Sequence, residues 1–328
     1  MTYFITGITG FLGRALTQSL LESDPSYPPT RVVGLSRDEH KIAAFVPSFR
    51  DTRVEAWVGD VRDRARLDWA FRSKPDVVIH AAAMKRVELC EANPAEAVKT
   101  NIDGTRNVVE AAMLADIPRV IVVSSDKATS PETCYGKTKA AAEEIALGQN
   151  AYSGKGQTRI SVVRYGNILG STGSFLDTLV RARATGHAVP ITDHMATRFW
   201  WHVGDAVGFI RRVIQDMQGA EVWVPKLVSA RVVDLATAIS PRSEIVVTGM
   251  RGPEKTHEAM INETEARYTY ELPDCYVLLP KQGQYWSPSP PVGAVKVPDG
   301  FSYASHQQPQ SVHFELQESQ PCASASSV

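Results

Sequence analysis

Short apolar runs alternate with stretches whose apolar residues recur every three or four positions through the first half of the chain. "YFIT", "RVVGLS", "VEAWVGD", "DVVIHAA" (76–82) and "RVIVVSS" (Arg119–Ser125) read as strands. They are short, rich in β-branched residues and unalternated, the pattern of strands covered by helices on both faces. Gly10 to Leu21 reads as a helix with Leu12, Leu16 and Leu20 on one face. Helical patterns follow at Ala65–Phe71, Thr105–Ala115 and Tyr135–Leu147. Repeated strand–helix units predict an α/β fold, a Rossmann-type doubly wound parallel sheet.

The second half is less regular. "ISVVRYGNILG" reads as one more core strand, and a helix is expected around Phe175–Thr185. "ITDHMATRFWWHVGDAVGFI" and "GAEVWVPK" follow, with Trp200 and Trp201 expected in the core. Pro and Gly become frequent after Lys281. The small, polar end "QESQPCASASSV" predicts a disordered tail over 311–328. The change of character near Tyr165 divides the chain into a dinucleotide-binding domain, 1–165, and a smaller substrate region, 166–310, interleaved with it.

Composition narrows the functions available. The 328 residues are 43% hydrophobic and 22% charged, ordinary for a globular protein. Thirty-five Lys+Arg nearly cancel 36 Asp+Glu, so no bulk field draws the chain to nucleic acid or to a membrane surface. An anionic ligand must therefore be held by local donors. Cys90, Cys134, Cys275 and Cys322 lack metal-ligand or paired spacing and read as reduced structural thiols, so no metal is expected. The start "MTYFITG" lacks a basic segment leading into an apolar one, and no apolar run approaches the roughly 20 residues of a membrane span. A cytoplasmic protein is expected.

"ITGITGFLG" places Gly7, Gly10 and Gly13 between the first strand and the first helix, with Thr9, Phe11 and Leu12 in the same turn. Glycines there permit a tight turn and close approach of backbone to a pyrophosphate, which the free N–H groups of the helix start then bind. The end of the second strand chooses the dinucleotide. An acidic residue would bind the ribose 2′-hydroxyl of NAD. This chain reads "LSRDEHK", with Ser36 and Arg37 first and Lys41 nearby. A hydroxyl and a guanidinium suit a 2′-phosphate, so NADP is expected over NAD. The alternative is that Asp38 binds the ribose. "GDVRD" sets Asp60 and Val61 where an adenine edge would lie, and Ala81, Ala82 and Ala83 leave room at a strand end for a cofactor.

Tyr135 and Lys139 stand four apart, so a helix puts both on one face. A phenol with an ordinary pKa near 10 is a poor base at neutral pH, and a nearby ammonium is expected to lower it. Such a tyrosine takes a proton from a sugar hydroxyl as hydride leaves the carbon. Ser124 or Ser125, ending the preceding strand, would hydrogen-bond the same oxygen.

These segments resemble the extended short-chain dehydrogenase/reductase superfamily, and more closely its inverting UDP-N-acetylglucosamine 4,6-dehydratases. The matching stretches include "ITGITGFLG", "SRDE", "GDVRD", "HAAAMKRVE", "KTNIDGT", "SSDKATSP", "YGKTK", "VVRYGN", "ITDHMATRFW", "EKTHE" and "YASH", reaching about His306. The resemblance implies a dehydratase that oxidises C4 of the sugar through NADP, removes water across C5 and C6, and returns hydride to C6. It implies that Asp126 protonates the departing hydroxyl and that Lys127 handles the C5 proton. Lys127 would then need its pKa lowered by burial or by positive neighbours such as Lys139. Asn101, in "KTNIDGT", is expected at the cofactor, together with Ser124, Tyr135 and Lys139. Arg251 is implied at the diphosphate of a UDP-sugar, and Lys85, Asn167, Arg198 and Glu254 are further substrate candidates. A homo-oligomer is expected.

Three departures fall near the substrate. Ser125 replaces the family's usual Thr, "RGPEK" swaps the middle of R-P-G-E-K, and Thr172 stands where an arginine is common. A 4-epimerase, or a dehydratase that retains C5 or yields a 5,6-alkene, is the alternative enzyme. A non-catalytic dinucleotide-binding protein would be expected to lack Tyr135 or Lys139.

Overall fold

Each apolar run of the first half forms a strand: β1 (Thr2–Thr6), β2 (Arg31–Ser36), β3 (Val54–Val58), β4 (Val77–His80), β5 (Arg119–Val123) and β6 (Arg159–Val163). The computed structural model describes residues 1–22, 31–153, 157–171, 173–250, 252–280 and 288–307. The six strands are parallel, in the order β3-β2-β1-β4-β5-β6. The order reverses between β1 and β4, which opens a crevice at their carboxyl ends.

Successive strand residues feed opposite faces. Phe4, Val33, Val78, Val120 and Val122 pack with the helices Arg64–Ala70, Gly104–Leu114 and Cys134–Gly148. Ile5, Val32, Val77, Ile79 and Ile121 pack on the other side with α1 (Phe11–Leu21), Glu39–Phe49 and Val203–Asp216. Burial on both faces explains the unbroken apolar runs. Leu12, Leu16 and Leu20 form the buried stripe of α1, as their spacing predicts.

The helix Glu39–Phe49 is not evident in the hydrophobic pattern, because Phe45 is its one buried residue. Asp38 starts it by accepting a hydrogen bond from Lys41 N at 3.0 Å.

"ISVVRYGNILG" is not one strand. After β6 the chain leaves the sheet at Arg164, and Asn167–Ile168 joins a second sheet with Thr197–Trp201 and Val228–Arg231. Gly166 permits the crossing, since a Cβ there would meet Phe199 Cβ at 2.5 Å. Arg164 is 3% exposed, and its guanidinium reaches Glu143 (2.6 Å), Glu265 (3.0 Å) and the carbonyl of Met260 (2.7 Å).

The second half also completes the large sheet. Val222–Pro225 lies parallel to β6, and Cys275–Leu278, Thr269–Glu271 and Val295–Lys296 follow antiparallel. A smaller core of Leu179, Val189, Ile191, Trp200, Leu235 and Ile239 carries the remaining segments. Trp200 and Trp201 are buried. No helix among the described residues is long and apolar enough to cross a membrane.

Candidate active site

A cavity of about 500 Å³ lies at the carboxyl ends of the parallel strands. Its floor is the β1–α1 turn. Gly7 has φ +72°, and a Cβ there would sit 3.0 Å from Ala82 Cα. At Gly13 a Cβ would come within 2.5 Å of the Ile8 carbonyl oxygen. The turn is thus pressed against the Ala81–Ala83 strand end and against its own helix. α1 has no side-chain cap and no acid in its first turn, so its amino end faces the cavity as free N–H donors. Thr9, Gly10, Phe11 and Leu12 line the same floor.

A buried polar chain fixes this floor. Ala82 N donates to Thr6 Oγ1 at 3.3 Å, and Thr6 Oγ1 lies 2.7 Å from His80 Nδ1. His80 Nε2 lies 3.0 Å from Thr105 Oγ1, which donates to the Asn101 carbonyl at 2.6 Å. The Thr105 proton is spent on that carbonyl, so His80 Nε2 carries the hydrogen and Nδ1 accepts from Thr6. Burial, helped by the nearby Lys139 charge, lowers the His80 pKa to about 3.

Ser36, Arg37, Lys41 and Val61 line one end of the cavity. Ser36 Oγ bonds Thr9 Oγ1 at 2.7 Å. Asp38 lines it too, but its carboxylate caps the helix and pairs with Lys41 Nζ at 3.4 Å. Asp60 pairs with Arg62 at 2.7 Å and lies 4.0 Å from the cavity-lining Arg37, and its neighbours Gly59 and Val61 line the cavity instead.

The other end holds Ser124, Ser125, Asp126, Lys127, Tyr135 and Lys139. β5 ends at Val123, so the two serines and Asp126 emerge at the sheet's edge. Thr133 caps the helix Cys134–Gly148 through Gly136 N at 3.0 Å, which sets Tyr135 and Lys139 in its first turns. Ser125 Oγ donates to Asp126 Oδ1 at 2.9 Å. Lys127 Nζ sits between two carboxylates, 3.2 Å from Asp126 Oδ1 and 2.9 Å from Glu258 Oε1. Lys139 Nζ donates to the Val123 carbonyl at 2.6 Å, and burial lowers its pKa to about 8. Among the described residues around this end, the buried oxygens Ser124 Oγ, Asp126 Oδ2 and Glu258 Oε2 lack a hydrogen-bond partner.

The electrostatics correct two expectations. Burial pushes the Tyr135 pKa up to about 12. Lys127 and a hydrogen bond with Ser125 oppose that rise without overcoming it. Lys127 is not a free amine. Burial works against its charge, but Asp126 and Glu258 outweigh that and raise its pKa, while Arg198 is the positive neighbour that opposes them. Asp126 is held above the usual carboxylate range, first by burial and then by Glu258, against the pull of Lys127.

Lys85 and Asn167 line the cavity, and Asn167 Nδ2 donates to the Phe199 carbonyl at 3.3 Å. Other expected site residues lie outside it. Asn101 is buried and clamps the loop after β4, accepting from Met84 N at 2.8 Å and donating to Thr138 Oγ1 at 3.0 Å. Arg198 and Glu254 pair with each other at 3.1 Å, and Arg198 also donates to the Thr197 and Thr256 carbonyls. Arg251, Thr172 and the 311–328 tail fall outside the described residues. Glu258 has no role assigned from the sequence although it closes the matching stretch "EKTHE". Its link to Lys127 exists only in three dimensions.

A glycine-rich turn at a topological switch point, with Tyr135 and Lys139 on one helix facing a serine-ended strand, defines an extended short-chain dehydrogenase/reductase. The chain belongs to the polysaccharide biosynthesis protein family, whose model matches residues 3–280. It is 39% identical over 313 residues to an inverting UDP-N-acetylglucosamine 4,6-dehydratase of Campylobacter jejuni, covering 93% of this chain and 92% of that one. Among solved structures it resembles Pen from Bacillus thuringiensis, with TM-score 0.86 and 29% identity over 94% of each chain. The fold is shared with DesIV, a dTDP-glucose 4,6-dehydratase of Streptomyces venezuelae solved with NAD, at TM-score 0.69 and 22% identity over 78% of this chain and 87% of that one.

Proposed function

We propose that the protein is a nucleotide-sugar 4,6-dehydratase acting on UDP-N-acetylglucosamine with inversion at C5, and that it retains NADP through the reaction. The observation that carries this reading is the acid and amine of Asp126 and Lys127 beside Tyr135 in one cavity. A 4-epimerase needs only a proton acceptor at O4 and reversible hydride transfer. Removing water also needs an acid at O6 and a base at C5. Identity with the Campylobacter dehydratase over nearly the whole chain supports the same substrate.

The residues present fit a dinucleotide. The cradle of Gly7, Gly10 and Gly13 and the free amino end of α1 would hold the pyrophosphate. The unpartnered Ser124 Oγ and the Lys139 ammonium would face the nicotinamide riboside. Ser36 and Arg37 would take a 2′-phosphate, and the engagement of Asp38 as a helix cap supports NADP over NAD. When bound, the nicotinamide accepts hydride from C4 and gives it back at C6, with no net redox change. NADP should bind more tightly than NAD, and Arg37→Ala should narrow the difference. Equal wild-type affinities in a binding titration would reject the preference.

Tyr135 rests as a neutral phenol, so it must first give up its own proton before its oxygen accepts the one on O4. The C4 ketone so formed acidifies the C5 proton, which goes to Lys127. Lys127 rests as an ammonium, so it must first shed a proton to a neighbouring carboxylate. Asp126, kept protonated by burial, delivers its proton to O6 as the C6–O bond breaks. Lys85, Asn167 and Arg251 are the chain's candidates for holding the sugar and diphosphate. Arg198 and Glu254, paired with each other, shape the wall behind Lys127.

Incubation with UDP-N-acetylglucosamine in deuterated water tests the reading. The product should be lighter by one water and carry deuterium at C5. A product of unchanged mass, epimerised at C4, would overturn it.

A further inference from the structure

Glu258 is 3% exposed and lies on no wall of the cavity, yet it sits at the centre of the site's charge. Its Oε1 is 2.9 Å from Lys127 Nζ, nearer than the 3.2 Å of Asp126 Oδ1. Each carboxyl group has its second oxygen buried and unpartnered. Two buried carboxylates therefore flank one ammonium, and a buried charge without a partner is costly. Both cannot stay ionised at low cost, so one of them keeps a proton.

The surroundings decide which. The Arg198 guanidinium is 4.0 Å from Glu258 Oε1, held there by Glu254 and by the Thr197 and Thr256 carbonyls. Lys255, nearby in the chain, also adds positive charge, with its ammonium fixed on the Thr129 and Ser130 carbonyls. His257 is turned away to Thr197 Oγ1 at 2.8 Å. Asp126 faces Lys127, Glu258, the Ser125 hydroxyl and Tyr135, and Lys127 is the cation paired with it. The second positive charge thus favours Glu258 as the ionised group.

Building on the dehydratase reading, we propose that Glu258 is a positioning residue for water loss: it stands as the counter-ion of Lys127, so that Asp126 keeps its own proton for the leaving hydroxyl. The protons balance. Lys127 passes one proton to Glu258, and its freed lone pair takes the proton from C5. The C5–H electrons form the C5–C6 double bond, and the C6–O pair leaves with the Asp126 proton as water. Asp126 then carries the negative charge that Glu258 held at the start.

The test reads protonation directly. Wild-type protein labelled with 13C at the Asp and Glu carboxyls should show, at pH 7, Asp126 as a neutral acid and Glu258 as a carboxylate. Loss of each signal in Asp126→Asn and Glu258→Asp gives the assignments. An ionised Asp126, or a protonated Glu258, would overturn the proposal. In Glu258→Gln, Lys127 has only Asp126 as counter-ion. Asp126 should then ionise, and the alkaline limb of the water-loss pH profile should move down by at least one pH unit. Glu258→Asp, which keeps the charge, should hold the wild-type limb. A Glu258→Gln limb at the wild-type pH, whatever its rate, would mean a merely structural role. The carboxyl signals show where the proton resides whether or not the wild type dehydrates UDP-N-acetylglucosamine, so the two readings fail separately.

Discussion

Asp126 owes its chemistry to where it is buried. It is 1% exposed, with one oxygen tied to Ser125 and Lys127 and the other left bare. Burial holds such an acid above the usual carboxylate range, which favours a proton on it that an arriving oxygen could take. Asp126→Asn and Lys127→Ala should both stop water loss while leaving affinity for the nicotinamide cofactor unchanged, measured by product mass and by fluorescence titration. Full dehydration by both variants would remove them from the mechanism. Tyr135→Phe should slow turnover by roughly 10²–10⁴-fold, the usual value of a placed proton acceptor. The residue types and their spacing were legible in "SSDKATSPETCYGKTK", because a strand end and a helix start put neighbours in sequence near one another in space. Their ionisation was not. Glu258 joins Asp126 in favouring the charge on Lys127 and Arg198 opposes it, and both Glu258 and Arg198 reach it from segments distant in the chain. Arg198 and Glu254 looked like ligands in the sequence because nothing there showed that they satisfy one another.

At the scale of elements, the cofactor end depends on β1, β4 and the helix Gly104–Leu114 being bolted together through His80. His80 stays neutral in the fold, with its pKa near 3 against an ordinary 6.5. Below pH 6.5 the unfolded chain takes up a proton that the folded one refuses. The stability His80 contributes is therefore complete above pH 6.5 and falls as the pH drops from 6.5 toward 3. His80→Gln should cost about 1–3 kcal/mol at pH 7.5 through its lost hydrogen bonds. The gap between wild type and variant should narrow at pH 5, as read from denaturant midpoints; a constant gap would show that His80 titrates normally. The strands themselves were legible because burial on both faces leaves nothing polar to interrupt them. Two elements were not: the helix Glu39–Phe49 buries too little to show a stripe, and the break after β6 follows from the close approach of Gly166 to Phe199.

On the scale of the whole molecule, one arginine joins the two halves. Arg164 leaves β6, pairs with Glu143 on the Tyr135 helix, and crosses to Glu265 and the Met260 carbonyl. All three charges lie in or at the edge of the core. Arg164→Met leaves Glu143 and Glu265 without their cation, although Glu265 keeps its hydrogen bond from Asn262 N, and should destabilise the fold by about 3–5 kcal/mol, seen as a large drop in Tm. Replacing Glu143 by Leu in the same variant should recover part of the loss; a wild-type Tm for Arg164→Met would show that the network carries no net energy.

Chain order adds a consequence for biosynthesis. β6 finds its outer neighbour in Val222–Pro225, which leaves the ribosome only after the whole Asn167–Trp201 excursion and the helix Val203–Asp216 have been made. Until then a nascent chain shows an open, apolar strand border of the kind that recruits other chains. A message cut short before codon 222 would therefore yield insoluble polypeptide rather than a working cofactor-binding half.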